Sequence, residues 1–96
     1  MRTLNVWLEL PDDLVNEVSA FGAPDTHAQL TEHNAGEWTA VTHTKGDVDC
    51  VFRFDTTAEL LAFVARHECR WNTCDDEGLQ VVPDDQSAAA LLAALD

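Results

Sequence analysis

The stretch that most restricts the fold is the first one. "TLNVWLEL", residues 3–10, sets Leu4, Val6, Leu8 and Leu10 against Thr3, Asn5, Trp7 and Glu9. A period of two puts alternate side chains on opposite faces of a strand, so the segment demands a sheet with one apolar face and something to cover it. The same period returns in "DVDCVFRF", where Val48, Cys50, Phe52 and Phe54 alternate with Asp47, Asp49, Val51 and Arg53. With "EWTAVTHT" before it and Lys45 and Gly46 at the turn, this region predicts a β-hairpin. "HAQLTEH" at 27–33 alternates weakly and fits a strand or an ordered loop. "NAG" at 34–36 fits a short hairpin connection, and "LQVV" at 79–82 a short strand.

Three helices are expected to do the covering. Pro11 suits a first helical position, Asp12 and Asp13 favour the positive end of the helix dipole, and Leu14, Val15, Val18 and Phe21 form a stripe closed by Gly22 and Pro24. Thr56 and Glu59 have the spacing of a capping box, which starts a second helix near Thr57 with Leu60, Leu61, Phe63 and Val64 in helical rhythm. Ser87 opens a third, with Ala88, Leu91, Leu92 and Leu95 on one stripe. The order β-α-(β)-β-β-α-β-α predicts one α+β domain over residues 1–96, a mostly antiparallel sheet with packed helices, related to the ferredoxin-like pattern. Trp7, Val41 and Val51 point away from the main core sets. Either the last helix covers them or they form a patch that docks a partner.

"HECRWNTCDDE" at 67–77 raises the question of metal or redox chemistry. His67 and Cys69 are two residues apart, whereas two ligands on one helix sit at i and i+4; Cys69 and Cys74 are five apart, wider than the usual zinc knuckle. No metal and no cofactor is expected. A Cys69–Cys74 disulfide is an alternative to free thiols, and three cysteines in all do not make a disulfide framework. The stretch is expected to be a helix C-terminus, with Arg70 complementing the dipole, Trp71 folding back as an anchor and "DDEG" forming an acidic turn. His27, His33 and His43 could converge with a carboxylate, but nothing fixes a nucleophile beside them, and the four glycines form no phosphate loop. Catalytic residues are not expected, and the protein is not expected to be an enzyme.

Charge carries the functional reading. Five Lys and Arg stand against 18 Asp and Glu, a formal net charge of −13, which disfavours nucleic acid and anionic membranes as direct partners. No apolar run reaches the length of a membrane span, and the expected location is the cytoplasm. Asp47 and Asp49 alternate along a strand at ~6.6 Å spacing, and Asp55, Asp75, Asp76, Glu77, Asp84 and Asp85 add clustered carboxylates. Rigidly spaced carboxylates can imitate a run of phosphates and so engage the groove of a basic nucleic-acid-binding protein, with Trp7 as an apolar anchor. In size, α+β layout and these acidic residues the chain resembles the small acidic phage anti-defence proteins of the DNA-mimic type, anti-CRISPR and antirestriction proteins among them. That resemblance implies a protein-binding inhibitor acting in a host cytoplasm, and it carries over no residue by position. The alternative is a regulatory or assembly module, a homodimer included, that uses the Trp7 face or the last helix, its acidity reflecting salt adaptation.

Overall fold

The computed structural model describes residues 1–11, 27–44 and 47–96, the side chains of 43, 44 and 47–51 excepted. The helix expected to begin at Pro11 and the turn at 45 and 46 lie outside the described residues. Six strands form one sheet: β1 (Arg2–Glu9), β2 (His27–Glu32), β3 (Trp38–Thr44), β4 (Asp47–Phe54), β5 (Arg70–Cys74) and β6 (Gln80–Val81). Two helices accompany them, α1 (Thr57–Arg66) and α2 (Ala88–Ala94). The expected α+β class, with its antiparallel sheet, is what the structure shows. Its strand order is β4-β3-β2-β1-β5-β6 with every pairing antiparallel, so the parallel pair that a βαβ unit would create is not among the described strands.

Alternation does in the structure what it foretells. Leu4, Val6, Leu8 and Leu10 are buried, and facing rows continue them: Leu8 stands opposite both Ala28 and Trp71, Leu30 opposite Ala40, and Trp38 opposite Phe54. Between Thr3 and Trp7 the register with β2 shifts, four residues of β1 advancing against two of β2, and the parity that keeps Leu4, Val6 and Leu8 on one face is preserved. The weakly alternating 27–32 segment is a strand because Ala28 and Leu30 are wholly buried between its neighbours. Residues 33–37 close the β2–β3 hairpin, with the His33 N–H on the Glu37 carbonyl at 2.9 Å and Gly36 at φ +85°, a left-handed turn position that glycine adopts without strain.

α1 begins as its capping box requires. The Glu59 N–H donates to Thr56 Oγ1 at 3.1 Å, and the Glu59 carboxylate accepts from the Asp55 N–H at 2.9 Å, one residue earlier than the box's usual reach. Leu60 and Val64 are buried, and Phe63 touches Phe52, Phe54 and the His67 ring with centroids 5.3, 5.1 and 4.7 Å away. Trp38 ties the helix to the sheet by donating its indole N–H to Thr57 Oγ1 at 2.9 Å.

The helix end corrects the expectation for residues 67–74. α1 stops at Arg66, and Glu68 turns left-handed at φ +51°. The Cys69 N–H then reaches the Val64 carbonyl at 3.0 Å and the Glu68 N–H the Ala65 carbonyl at 3.4 Å, which is the Schellman arrangement with glutamate where glycine is usual. Cys69 and Val64 are buried together in the core. The chain leaves this turn as β5, so Arg70 lies on a strand opposite Glu9 and Trp71 is a core side chain of the sheet, 3% exposed. No helix dipole is left for Arg70 to complement.

α2 opens on Ser87, whose Oγ accepts the Ala90 N–H at 3.1 Å. Leu91 and Leu95 join the same core as Leu60 and Val64, while Leu92 is 45% exposed. Its last turn carries no basic residue, and Arg2 of β1 supplies the missing cation by donating to the Leu95 carbonyl at 2.8 Å. The last helix therefore lies in the helical layer beside α1, on the sheet face away from Trp7. It does not cover the Trp7 and Val41 row, as the first of the two expectations had it.

Candidate protein-docking surface

The acidic positions separate into two groups because the chain places them on different strands. Asp47 and Asp49 begin β4 and Asp55 follows its end, so these three belong to one outer strand of the sheet. Asp75, Asp76 and Glu77 follow β5, and Asp84 and Asp85 follow β6, so these five bracket the other outer strand. Five interstrand steps separate β4 from β6, about 24 Å at the usual spacing. Trp7 stands between the groups on β1, half-buried, on the face opposite the two described helices. The nine residues expected to share a partner surface are thus brought together only around β6; the side chains of Asp47 and Asp49 lie outside the described residues.

Around β6 the local structure is well tied. The Asp75 Oδ1 accepts the N–H groups of Glu77 and Leu79, both at 2.9 Å, while its own N–H bonds the Leu79 carbonyl at 3.0 Å. Gly78 completes the turn at φ +83°, donating to the Asp75 carbonyl at 3.0 Å. Asp75 is consequently a turn-forming carboxylate, and Asp76 and Glu77 stand exposed beside it. Beyond β6, the Asp85 carboxylate accepts the Ser87 N–H at 2.9 Å, and hydrogen bonding from Ser87 holds its pKa below the usual aspartate value. Asp84 is exposed.

Among the described residues β6 pairs with Thr73 and Cys74, and where it stops a side chain continues its work. The Gln86 amide donates to the Trp71 carbonyl at 3.1 Å and accepts the Trp71 N–H at 2.9 Å, as the backbone of another strand residue would. The same Nε2 reaches the Pro83 carbonyl at 2.8 Å. Sequence reasoning missed both Gln86 and the apolar strip beside it: Leu79, Val81 and Val82 are 60%, 44% and 50% exposed. The alternation in "LQVV" marks a strand but does not tell which of its sides is left open.

Arg2–Glu32 at 2.8 Å is the one ion pair among the described residues. The Glu32 carboxyl lies below the usual range because the Gly36 N–H and Arg2 stabilise its charged form. Among the described residues, none of the carboxylates around β6 forms an ion pair.

The chemical candidates are dispersed. His27 and His33 sit at or just beyond opposite ends of β2, and His33 Nε2 bonds Thr39 Oγ1 at 2.8 Å. Cys69 is buried in the core and Cys74 is half-buried. Five residues of extended chain span about 16 Å, whereas a disulfide needs Cα atoms within about 7 Å, so the two cannot pair. Among the described residues no group of three His, Cys, Asp or Glu could hold a metal ion, and no described helix is long and apolar enough to cross a membrane. Trp7, His27, Asn72, Cys74 and Gln80 line an open depression of ≈ 210 Å³ on the face opposite the two described helices. No protein-family model matches the chain, and no curated protein or solved structure does either.

Proposed function

We propose that the protein is an acidic, non-catalytic, protein-binding inhibitor that occupies a basic nucleic-acid-binding surface of a host defence or nucleic-acid-processing protein, acting in the cytoplasm as an anti-CRISPR-like DNA mimic does. The observation that supports this is the bracket of five carboxylates around β6, held by a hydrogen-bonded turn at one end and the start of α2 at the other, with no described cation against them. The backbone tied by Asp75 and Asp85 presents Asp76, Glu77 and Asp84 from fixed positions, and the −13 charge speeds encounter with a basic partner.

A second reading is favoured by a separate observation. Both described helices lie on one face of the sheet, while the half-buried Trp7 and Val41 lie on the other, which suits an assembly module docking through that face. Truncation before α2 does not test this version, since it removes Leu91 and Leu95 from the core.

Retention of basic DNA- or RNA-handling complexes from a host lysate at two salt concentrations distinguishes the readings. Salt-sensitive capture that nucleic acid competes away is the expected result, because exposed ion pairs weaken as the screening length shortens. Capture of only neutral or acidic partners, insensitive to salt, would refute the inhibitor reading.

A further inference from the structure

The outer edge of β6 has unusual composition for an open edge. Natural sheets protect such edges with short strands and charges, and β6 has both: two residues, bracketed by Asp75, Asp76 and Glu77 on one side and Asp84 and Asp85 on the other. Yet between the two acidic groups Leu79, Val81 and Val82 stand 60%, 44% and 50% exposed, and no described residue pairs with the outer edge. An acidic-apolar-acidic strip along an open strand matches one kind of occupant.

We infer that β6 accepts an added β-strand from a partner segment whose apolar residues are flanked at both ends by lysine or arginine. Main-chain hydrogen bonds would supply the pairing, alternate apolar side chains would cover Leu79 and Val81, and the basic flanks would meet Asp76, Glu77 and Asp84. Asp75 and Asp85 are committed to their own backbone contacts and act by charge alone. A second copy of this chain does not fit. Pairing β6 with itself antiparallel sets residues 75–77 of one copy against 84 and 85 of the other, and pairing it parallel sets each acidic group against itself. The inference rests on the reading of the protein as a binder of basic proteins and adds to it a backbone geometry.

The test uses the full chain and the capped peptide Lys-Arg-Val-Thr-Val-Lys-Arg, followed by fluorescence anisotropy at low salt. Controls are a version with glutamates in place of the basic residues and two versions N-methylated on alternate residues. N-methylation removes the donors a strand needs and leaves the charge intact. The basic peptide should bind, the acidic one should not, and at least one N-methylated version should lose most of the affinity. Changing Asp76, Glu77 and Asp84 together to lysine should weaken binding at least tenfold, because three exposed pairs become like-charge contacts. Equal binding of both N-methylated peptides would overturn strand addition while leaving an electrostatic binder standing. Equal binding of the acidic peptide, or self-association through β6 seen by sedimentation and abolished by Val81→Lys, would overturn the assignment of a basic-flanked occupant.

Discussion

The two outer strands end the sheet in contrasting ways. β4 is eight residues long and joined to β3 along nearly all of that length, so the hairpin finishes its own inner edge with backbone alone. β6 is two residues long, and the strand beneath it is finished by the side-chain amide of Gln86, while its Trp71 shares the core with Leu91 and Leu95 of α2. The long hairpin completes its own backbone ladder, and α1 packs on it through Phe63. An edge built from a two-residue strand depends on residues distant in sequence, and it leaves apolar side chains and carboxylates next to one another at the surface.

That contrast can be broken most forcefully at α2. Leu91→Ala should cost about 2–5 kcal/mol, the range for emptying a fully buried leucine site, since Leu91 is 0% exposed; chemical denaturation gives the value. Gln86→Ala should cost about 1–3 kcal/mol, because it leaves the Trp71 N–H and carbonyl without their partner. Hydrogen exchange should show the Trp71 amide losing protection while β3 and β4 keep theirs, and a uniform loss would deny that the β5–β6 side is separately held.

Two tryptophans sharpen the comparison. Trp38 donates its indole N–H to Thr57, whereas the buried indole N–H of Trp71 has no hydrogen-bond partner among the described residues. Both substitutions to phenylalanine remove similar apolar bulk, so Trp38→Phe should be the more damaging by about 1 kcal/mol. Smaller and of opposite sign is Glu68→Gly. Relieving a left-handed glutamate at a Schellman turn should raise stability by about 0.5–1 kcal/mol, the penalty of the side chain there exceeding the entropy that glycine adds to the unfolded chain.

Acid titration supplies the smallest effect. Asp85 and Glu32 both have folded pKa values below their unfolded ones. Their contribution is complete above the unfolded values, near pH 4, and is lost as pH falls through the folded values. Asp85→Asn should lower stability slightly at pH 7, where the charged carboxylate contributes, and flatten its further loss on the acid side. An unchanged acid limb would mean that the Ser87 contact is not formed in solution.

Much of this fold can be read from residues, and the exceptions share a cause. Period-two alternation revealed β1 and the β3–β4 hairpin, and the Thr56 and Ser87 caps marked both helix starts, because these signals are local. β5 escaped notice. Its residues Trp71 and Asn72 are both buried although they point to opposite faces, which erases the alternation, and the turn before it uses Glu68 in place of the glycine that would announce a helix end. The acidic clusters were legible as charge, but their division between two edges about 24 Å apart follows from strand order, which no local pattern encodes. The exposed strip at Leu79, Val81 and Val82 was hidden for a simpler reason: apolar residues in a strand are ordinarily taken to face a core.

The most direct measurement is the association rate of the retained basic partner with two charge-reversed proteins, one carrying lysine at Asp76, Glu77 and Asp84, the other at Asp47, Asp49 and Asp55. If the acidic bracket around β6 is the docking surface, the first protein should associate at least tenfold more slowly and with a shallower salt dependence, while the second stays within about threefold of the parent. Equal slowing by the two sets, or no basic partner whose capture responds to salt, would contradict a defined acidic site at the β6 edge.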